Sequence, residues 1–496
     1  MIKINKKSLY GLWIYGLLLC LTCSSKTGEY NLEKLKKIIQ NIDNDSVLRR
    51  GHWALCVKSV QTGKIIIEHN ARKTMLVASN IKAITTATAL EILGEDFTFD
   101  TPIKYSGTIS NGILQGSIFI EGSGDPTMGS PLVQNDLEAM FDDWVAHLRK
   151  LGVNQITGAV IADEEEFEAN PLPNGWLWED MGNFFGAPAH AINIFDNAYT
   201  LYLQPATKLG EKAAIVRTEP KIPDLQFVNE ITTASAGTGD QALICGVPYD
   251  NLRYLRGTIP MGYLFPIRGS IPDPALLLAT LFTEKLKRVG IKVGQPATTT
   301  RILKLAKKYI NPQRTLVYVE KSPKLKEIVN VTNLYSVNLY AEAILKAIGK
   351  KQKKQASTSA GAEAVIEFWK AKGLDTEGMY LTDGSGLSLT NGITALQLAQ
   401  IFFLAYKLKT SETFYNSLPI AGVSGTMLGT GWGTKAHNNL RAKTGGMTRV
   451  ISFGGYFHTR RGELMAFSLI ANQYTCNYAQ MKAKLEPVLV ELANIN

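Results

Sequence analysis

The stretch MLVASNIKAITTATALEILG, positions 75 to 94, constrains the chain most, because its helical pattern is apolar on nearly every face. Such a helix is stable only when other elements surround it, so the fold must wrap a core around this segment. Inside it stand one serine and one lysine three apart, Ser79 and Lys82, which one helical turn brings to the same side. One reading makes Ser79 a cap, since it stands where the periodic pattern begins. The other makes it a nucleophile beside the base that activates it. A Ser-x-x-Lys arises roughly twice by chance in a chain this long, so the choice depends on the remaining residues.

At 496 residues the chain exceeds one simple core and implies two or three domains. With 45% hydrophobic and 19% charged residues it is an ordinary globular sequence, not a disordered one. The opening residues, MIKINKKSLYGLWIYGLLLCLTCSSKTGEY, pass from lysines through an apolar segment, Leu9 to Leu21, into small polar residues. This predicts a secretory signal over 1–23, with an apolar core too short to span a membrane. Export to a bacterial cell envelope, in the periplasm, follows. Cys23 is a candidate for acylation as in a lipoprotein, which would anchor the chain to a membrane; plain cleavage is the alternative. Three cysteines remain beyond the signal, Cys56, Cys245 and Cys476, so at most one internal bridge can form. Cys56 with Cys476 is the pairing open to it. The net charge of +10 favours anionic partners. The densest basic run, KAIGKKQKKQ, lacks interleaved aromatics and reads as a solvated loop, so nucleic acid is not an expected partner.

Along the chain, NLEKLKKIIQ reads as an amphipathic helix, and HWALCVKSV and KIIIEHN as a β-hairpin around QTG. The Ser79 helix ends at Gly94. From about 98 to 269 the texture changes to short alternating strands and turns, a mainly β insert. Helical texture returns in PDPALLLATLFTEKLKRVG, opened by Asp273 or Pro274 and closed by Gly290, and again in NLYAEAILKAIG and AEAVIEFWKAKG. The end reads as two strands, RVISFGGYFHTR and ELMAFSLIANQ, and a last helix. The predicted organisation is an α+β body formed by 30–97 and 270–496, interrupted by the β-rich region 98–269.

Three further signals follow Ser79: Ser336 and Asn338 in YSVNLYAEA at the mouth of a helix, DGSGLS from Asp383 to Ser388, and Lys443, Thr444 and Gly445 running into a strand. A second Lys-Thr-Gly, Lys26 to Gly28, directly follows the signal segment, where no folded site is expected. Each member of the ordered set meets a chemical need. A serine hydroxyl attacks only when something takes its proton, and Lys82 can do so only when neutral; desolvation and a second cation, Lys443, would lower its pKa. Ser336 would bridge the lysines and return the proton to the leaving amine, and Asn338 offers an amide for a peptide carbonyl. Lys443 and the Thr444 hydroxyl suit a terminal carboxylate, and Gly445 lets an extended peptide lie along the strand edge. The backbone N–H groups of Ser79 and Gly446 would form the oxyanion hole.

Ser-x-x-Lys, Ser-x-Asn and Lys-Thr-Gly in this order resemble the active-site serine penicillin-recognising enzymes. From about residue 30 to the end the chain is similar to one branch, the class C low-molecular-mass penicillin-binding proteins, serine D-alanyl-D-alanine carboxypeptidases and endopeptidases. GSGDPT (122–127), GWLWEDM (175–181), DGSGLS and LPIAGVSGT (418–426) carry the likeness, with the long insert between Ser79 and Ser336. The resemblance implies a β-lactamase/transpeptidase-like domain, a helical cluster on a five-stranded antiparallel sheet, with the insert as extra domains. It implies cleavage of peptidoglycan stem peptides through an acyl-serine that β-lactam antibiotics would trap. It also implies that Asp180 meets the amino end of the stem peptide's diamino acid and that Trp176 walls that pocket. Two residues depart from the family: Leu389 stands where an arginine usually holds the substrate side chain, and Gly446 where Ser or Thr usually follows Lys-Thr-Gly.

No His-Glu-x-x-His, Cys/His cluster or glycine-rich phosphate loop appears, so no metal, cofactor or nucleotide is expected. Two other readings stand beside the leading one. A β-lactamase or esterase on the same scaffold would turn penicillin over quickly. A catalytically weak peptidoglycan-binding protein would never be acylated.

Overall fold

The computed structural model describes residues 30–496; the expected signal segment with Cys20, Cys23 and the first Lys-Thr-Gly lies outside the described residues. One antiparallel sheet organises the body, in the order Ile65–His69, His52–Ser59, Leu464–Asn472, Val450–His458, Arg441–Met447. Strand alternation splits its side chains between two layers. Leu55, Val57, Phe453, Phe467 and Leu469 face the terminal helices Glu33–Asp43 and Tyr478–Leu492, whose Leu35, Ile39, Met481 and Leu485 complete an outer core. Ala54, Cys56, Tyr456, Ala466 and Ile470 face the inner core, made with helices Ile81–Leu93, Asn338–Lys353 and Ala395–Ala405. Helix Ile81–Leu93 is buried through ten consecutive residues, Ile81 to Leu90, as its all-round apolar pattern requires.

The expected α+β body with its five-stranded sheet is therefore present, and the Cys56–Cys476 bridge that the sequence left open is not formed. All three cysteines are free. Cys56 belongs to the inner core and Cys476 packs against the outer one, so the sheet itself separates them.

The insert is larger and more helical than its strand-rich texture indicates. Its main sheet runs Thr298–Thr299, Val160–Asp163, Ile118–Glu121, Asp100–Ser106, Arg314–Lys321. Helices Leu137–Lys150 and Pro274–Arg288 press Phe141, Trp144, Phe282 and Leu286 into the same core as Ile103, Ile118 and Val160. Helix Pro274–Arg288 does open at Asp273, whose side chain accepts from the Leu276 N–H. It serves the insert's core, however, not the body's. Strand Arg314–Lys321 pairs antiparallel with Asp100–Ser106, and the Ser322 and Leu325 N–H groups bond the Phe99 and Phe97 carbonyls, so entry and exit run side by side. We therefore end the insert near 321 rather than at 269. Three smaller sheets, around Ala198–Gln204, Leu252–Pro260 and Ile113–Gln115, complete it.

The basic run is also not a loop. Helix Asn338–Lys353 continues through it, with Lys350 paired to Glu166 of the insert and Lys353 to Glu363 and Glu367. Basic residues in a last helical turn complement the negative end of the helix dipole.

Candidate active site

Ser79 lies on a short 3-10 turn, Ala78–Asn80, that leads directly into helix Ile81–Leu93. It caps nothing: the N-cap position falls to Asn80, which makes no side-chain capping bond. Ala78 is held at φ 46, a left-handed conformation costly for a residue with a Cβ. Two glycines close on this turn from opposite sides. A Cβ on Gly386 would lie 1.9 Å from the Ala78 carbonyl oxygen, and one on Gly445 2.2 Å from that of Val77. Only glycine lets the Asp383–Ser388 loop and the strand Arg441–Met447 approach so closely.

Lys82 Nζ donates to Ser79 Oγ at 2.9 Å and to the Ser385 carbonyl at 2.6 Å. Across the crevice Lys443 Nζ donates to Ser336 Oγ at 2.9 Å and to the Thr444 carbonyl at 2.9 Å. Ser336 occupies the junction of helices Leu325–Tyr335 and Asn338–Lys353 at φ 61, so a tight left-handed corner aims its hydroxyl into the crevice. Asn338 opens the second helix and donates its amide to the Phe185 carbonyl at 2.7 Å, tying the insert to the site. Thr444 Oγ1 donates to Thr426 Oγ1 at 2.8 Å.

Both lysines are fully buried. Burial pulls Lys82 down to about 7 against the opposing carboxylates of Asp383 and Glu342. Burial and then the Lys82 charge push Lys443 well below its ordinary value. Of the two causes named from the sequence, desolvation is thus the one that lowers Lys82, and the repulsion between the two lysines falls on Lys443.

Two carboxylates, Glu342, which no motif signalled, and Asp383, which opens DGSGLS, hold the loop above Lys82. Glu342, fully buried on helix Asn338–Lys353, accepts from the backbone N–H groups of Gly384 and Ser385 at 3.0 and 2.7 Å. Burial, then the Asp383 charge, raises it to about 7. Asp383 accepts from Gly386 N, Ser388 N, Asn391 Nδ2 and Trp176 Nε1, at 2.7 to 2.9 Å. Together they fix the Ser385 carbonyl that Lys82 touches. A glutamate in the pattern NLYAEA is the available signal, one acid among apolar helix residues, and it reads as a solvated position without the fold.

Ser79 and Ser336 stand between two clefts. The larger, about 810 Å³, is lined by Leu177, Glu179, Asp180, Phe184 and Phe185 of the insert with Tyr335, Asn338 and Leu389. The other, about 630 Å³, is lined by Thr426, Thr444, Gly446, Arg449, Tyr474 and Tyr478. Asp180 is among the residues that line the larger cleft, and burial followed by the Glu179 charge raises it to about 6. Trp176 is not: it is buried and does not line the cleft, because its indole N–H is spent on Asp383. The apolar wall comes instead from its neighbour Leu177 and the Phe184–Phe185 pair.

Residues 34–494 match the model of the D-Ala-D-Ala carboxypeptidase 3 (S13) family. The chain is 29% identical to a D-alanyl-D-alanine carboxypeptidase of Actinomadura sp. (strain R39), over 90% of this chain and 82% of that protein. It is 33% identical to the carboxypeptidase DacB of Mycolicibacterium smegmatis, over 84% of this chain and 75% of that protein. Its fold is similar to the crystal structure of penicillin-binding protein 4 (dacB) from Haemophilus influenzae, with a TM-score of 0.75 at 24% identity, covering 90% of this chain and 98% of that one.

Proposed function

From the premise that this chain belongs to the D-Ala-D-Ala carboxypeptidase 3 (S13) family, we propose that Ser79, Lys82, Ser336, Asn338 and Lys443 carry the chemistry of a serine DD-peptidase acting on peptidoglycan stem peptides. The observation behind the reading is the convergence of two lysine–serine pairs, each at 2.9 Å, on one buried crevice. Neutral Lys82 takes the Ser79 proton as Oγ adds to the carbonyl carbon of the penultimate D-alanine. The oxyanion forms against the backbone N–H groups of Ser79 and Gly446. Collapse breaks the peptide bond; the departing amine takes a proton through Ser336, and D-alanine leaves while its partner stays esterified to Ser79. Water then hydrolyses the ester, with Lys82 again accepting a proton.

In this arrangement the cleft with Thr444 and Thr426 receives the terminal carboxylate and the leaving group. The cleft with Asp180 receives the acyl side, where an acid beyond apolar walls suits a long side chain ending in an ammonium. A cross-linked amine can occupy the leaving position as D-alanine does, so endopeptidase action uses the same groups. β-Lactams acylate Ser79 in place of substrate. A place in the cell envelope follows from such a substrate; the expected signal and lipid on Cys23 belong to the same picture.

The test is D-alanine release from a stem pentapeptide by the wild-type protein and by Ser79→Ala. Release by the wild type alone supports the reading. No release and no penicillin acylation by a folded wild type defeats it and leaves a wall-binding protein; rapid penicillin turnover without D-alanine release points to a β-lactamase.

A further inference from the structure

The missing hydroxyl after Lys-Thr-Gly has a counterpart elsewhere in the chain. Strand alternation puts Thr444 and position 446 on the same face of the sheet edge, so a serine or threonine at 446 would stand beside the Thr444 hydroxyl. Gly446 leaves that place empty of side chain, and Tyr478 fills it. A Cβ on Gly446 would lie 2.7 Å from the tyrosine ring carbon Cε2, 3.2 Å from Cζ and 3.3 Å from the phenol oxygen. A side chain at 446 would thus require the ring to move, and the tyrosine hydroxyl reaches the region that side chain would serve.

Tyr478 is also held there. It is the first residue of helix Tyr478–Leu492, whose capping box pairs Asn477 with Gln480. The preceding loop is tied to the hairpin turn by Arg449, which donates to the Gln473 and Tyr474 carbonyls at 3.0 and 3.1 Å. Ser79, Ser336, Thr426, Thr444 and Tyr478 line the same cleft. The phenol finds no hydrogen-bond partner among the described residues. Burial raises its pKa above the ordinary value, so it stays a neutral donor.

We infer that Tyr478 is a substrate-binding residue whose hydroxyl, with that of Thr444, donates to the terminal carboxylate of the leaving residue, replacing the hydroxyl lost at Gly446. The inference rests on the DD-peptidase reading above. A neutral donor to a carboxylate makes a charge-assisted bond, stronger than one between neutral groups.

The experiment compares kcat/KM for a stem peptide ending in D-Ala-D-Ala with that for its C-terminal amide, in wild type and in Tyr478→Phe. The phenyl ring keeps the packing, and penicillin acylation reports that the site is folded. Loss of the hydroxyl lowers the acid-to-amide ratio by about tenfold to a hundredfold. Tyr478→Ala lowers it too, and adding Gly446→Ser, now sterically permitted, restores it. An unchanged ratio in Tyr478→Phe, or no recovery in a double variant that penicillin still acylates, overturns the inference. A wild type active on both peptides with that unchanged ratio removes this inference alone. A wild type inactive on both and not acylated removes the DD-peptidase reading with it.

Discussion

The cleft that holds Asp180 takes its walls from the insert at 177–185, the helix corner at 335–338 and the loop at 386–389, together with the 446–449 sheet edge that it shares with the other cleft. The cleft that holds Thr444 comes from the sheet edge, Thr426 and the 474–478 segment, all within the body. One is apolar with an acidic floor and depends on how the insert docks. The other is lined by hydroxyls, shares the Arg449 guanidinium with the first, and is set by the register of the sheet, where Lys443 faces Gly454 and Gly445 faces Ser452. On the proposed function, the chemistry common to any substrate sits between them, and selectivity for the stem peptide's side chain belongs to the insert. Separate perturbation of the two sides follows from this difference.

Lys82→Met should have the largest effect and spare neither side. With the proton acceptor gone, acylation by peptide and by penicillin should both fall by roughly ten-thousandfold, read by stopped-flow quenching. The fold should survive, since an apolar side chain suits a fully buried position.

Acidification separates the sides next. Lys82 acts as a base only when neutral, so penicillin acylation should fall about tenfold per pH unit below its pKa of about 7 and level off above it. Peptides with an ammonium side chain should show a second loss below about 6, where Asp180 becomes protonated and its charge disappears. A single inflection for both ligands would break the distinction between the clefts.

Asp180→Asn isolates the acyl side. For a peptide with a terminal ammonium on its third residue, kcat/KM should fall about tenfold, the loss of a charge-assisted bond. Penicillin acylation rates should stay with the wild type.

Trp176→Phe should have the smallest effect on rate. It removes a buried donor from Asp383 and should cost about 1–3 kcal/mol of stability, measured by urea unfolding. An equal loss in peptide selectivity would return Trp176 to the pocket wall.

The groups proposed to do the chemistry were legible in the sequence because their spacing is local. Ser79 and Lys82 are one turn apart, Ser336 and Asn338 flank one helix start, and Lys443 to Gly445 lie on one strand. The hairpin and the terminal helices were legible for the same reason, whereas the five-stranded sheet, which pairs His52–Ser59 with Leu464–Asn472, was expected only from the family resemblance. What escaped depends on contacts far apart in the chain. Strand Arg314–Lys321 joins the insert only by pairing with residues more than 200 positions earlier. Trp176 looked like a pocket aromatic until its bond to Asp383, 207 residues away, was known. Glu342 has no motif, and its function comes from the two backbone N–H groups that a distant loop brings to it. Tyr478 gains meaning only beside Gly446.

Mass spectrometry of the intact protein after a brief exposure to penicillin, followed by mapping of the modified peptide, tests the central claim most directly. The account predicts one penicilloyl group per chain on Ser79, persisting for minutes and absent from Ser79→Ala. A wild type left unmodified, or modified at any other residue, would contradict it.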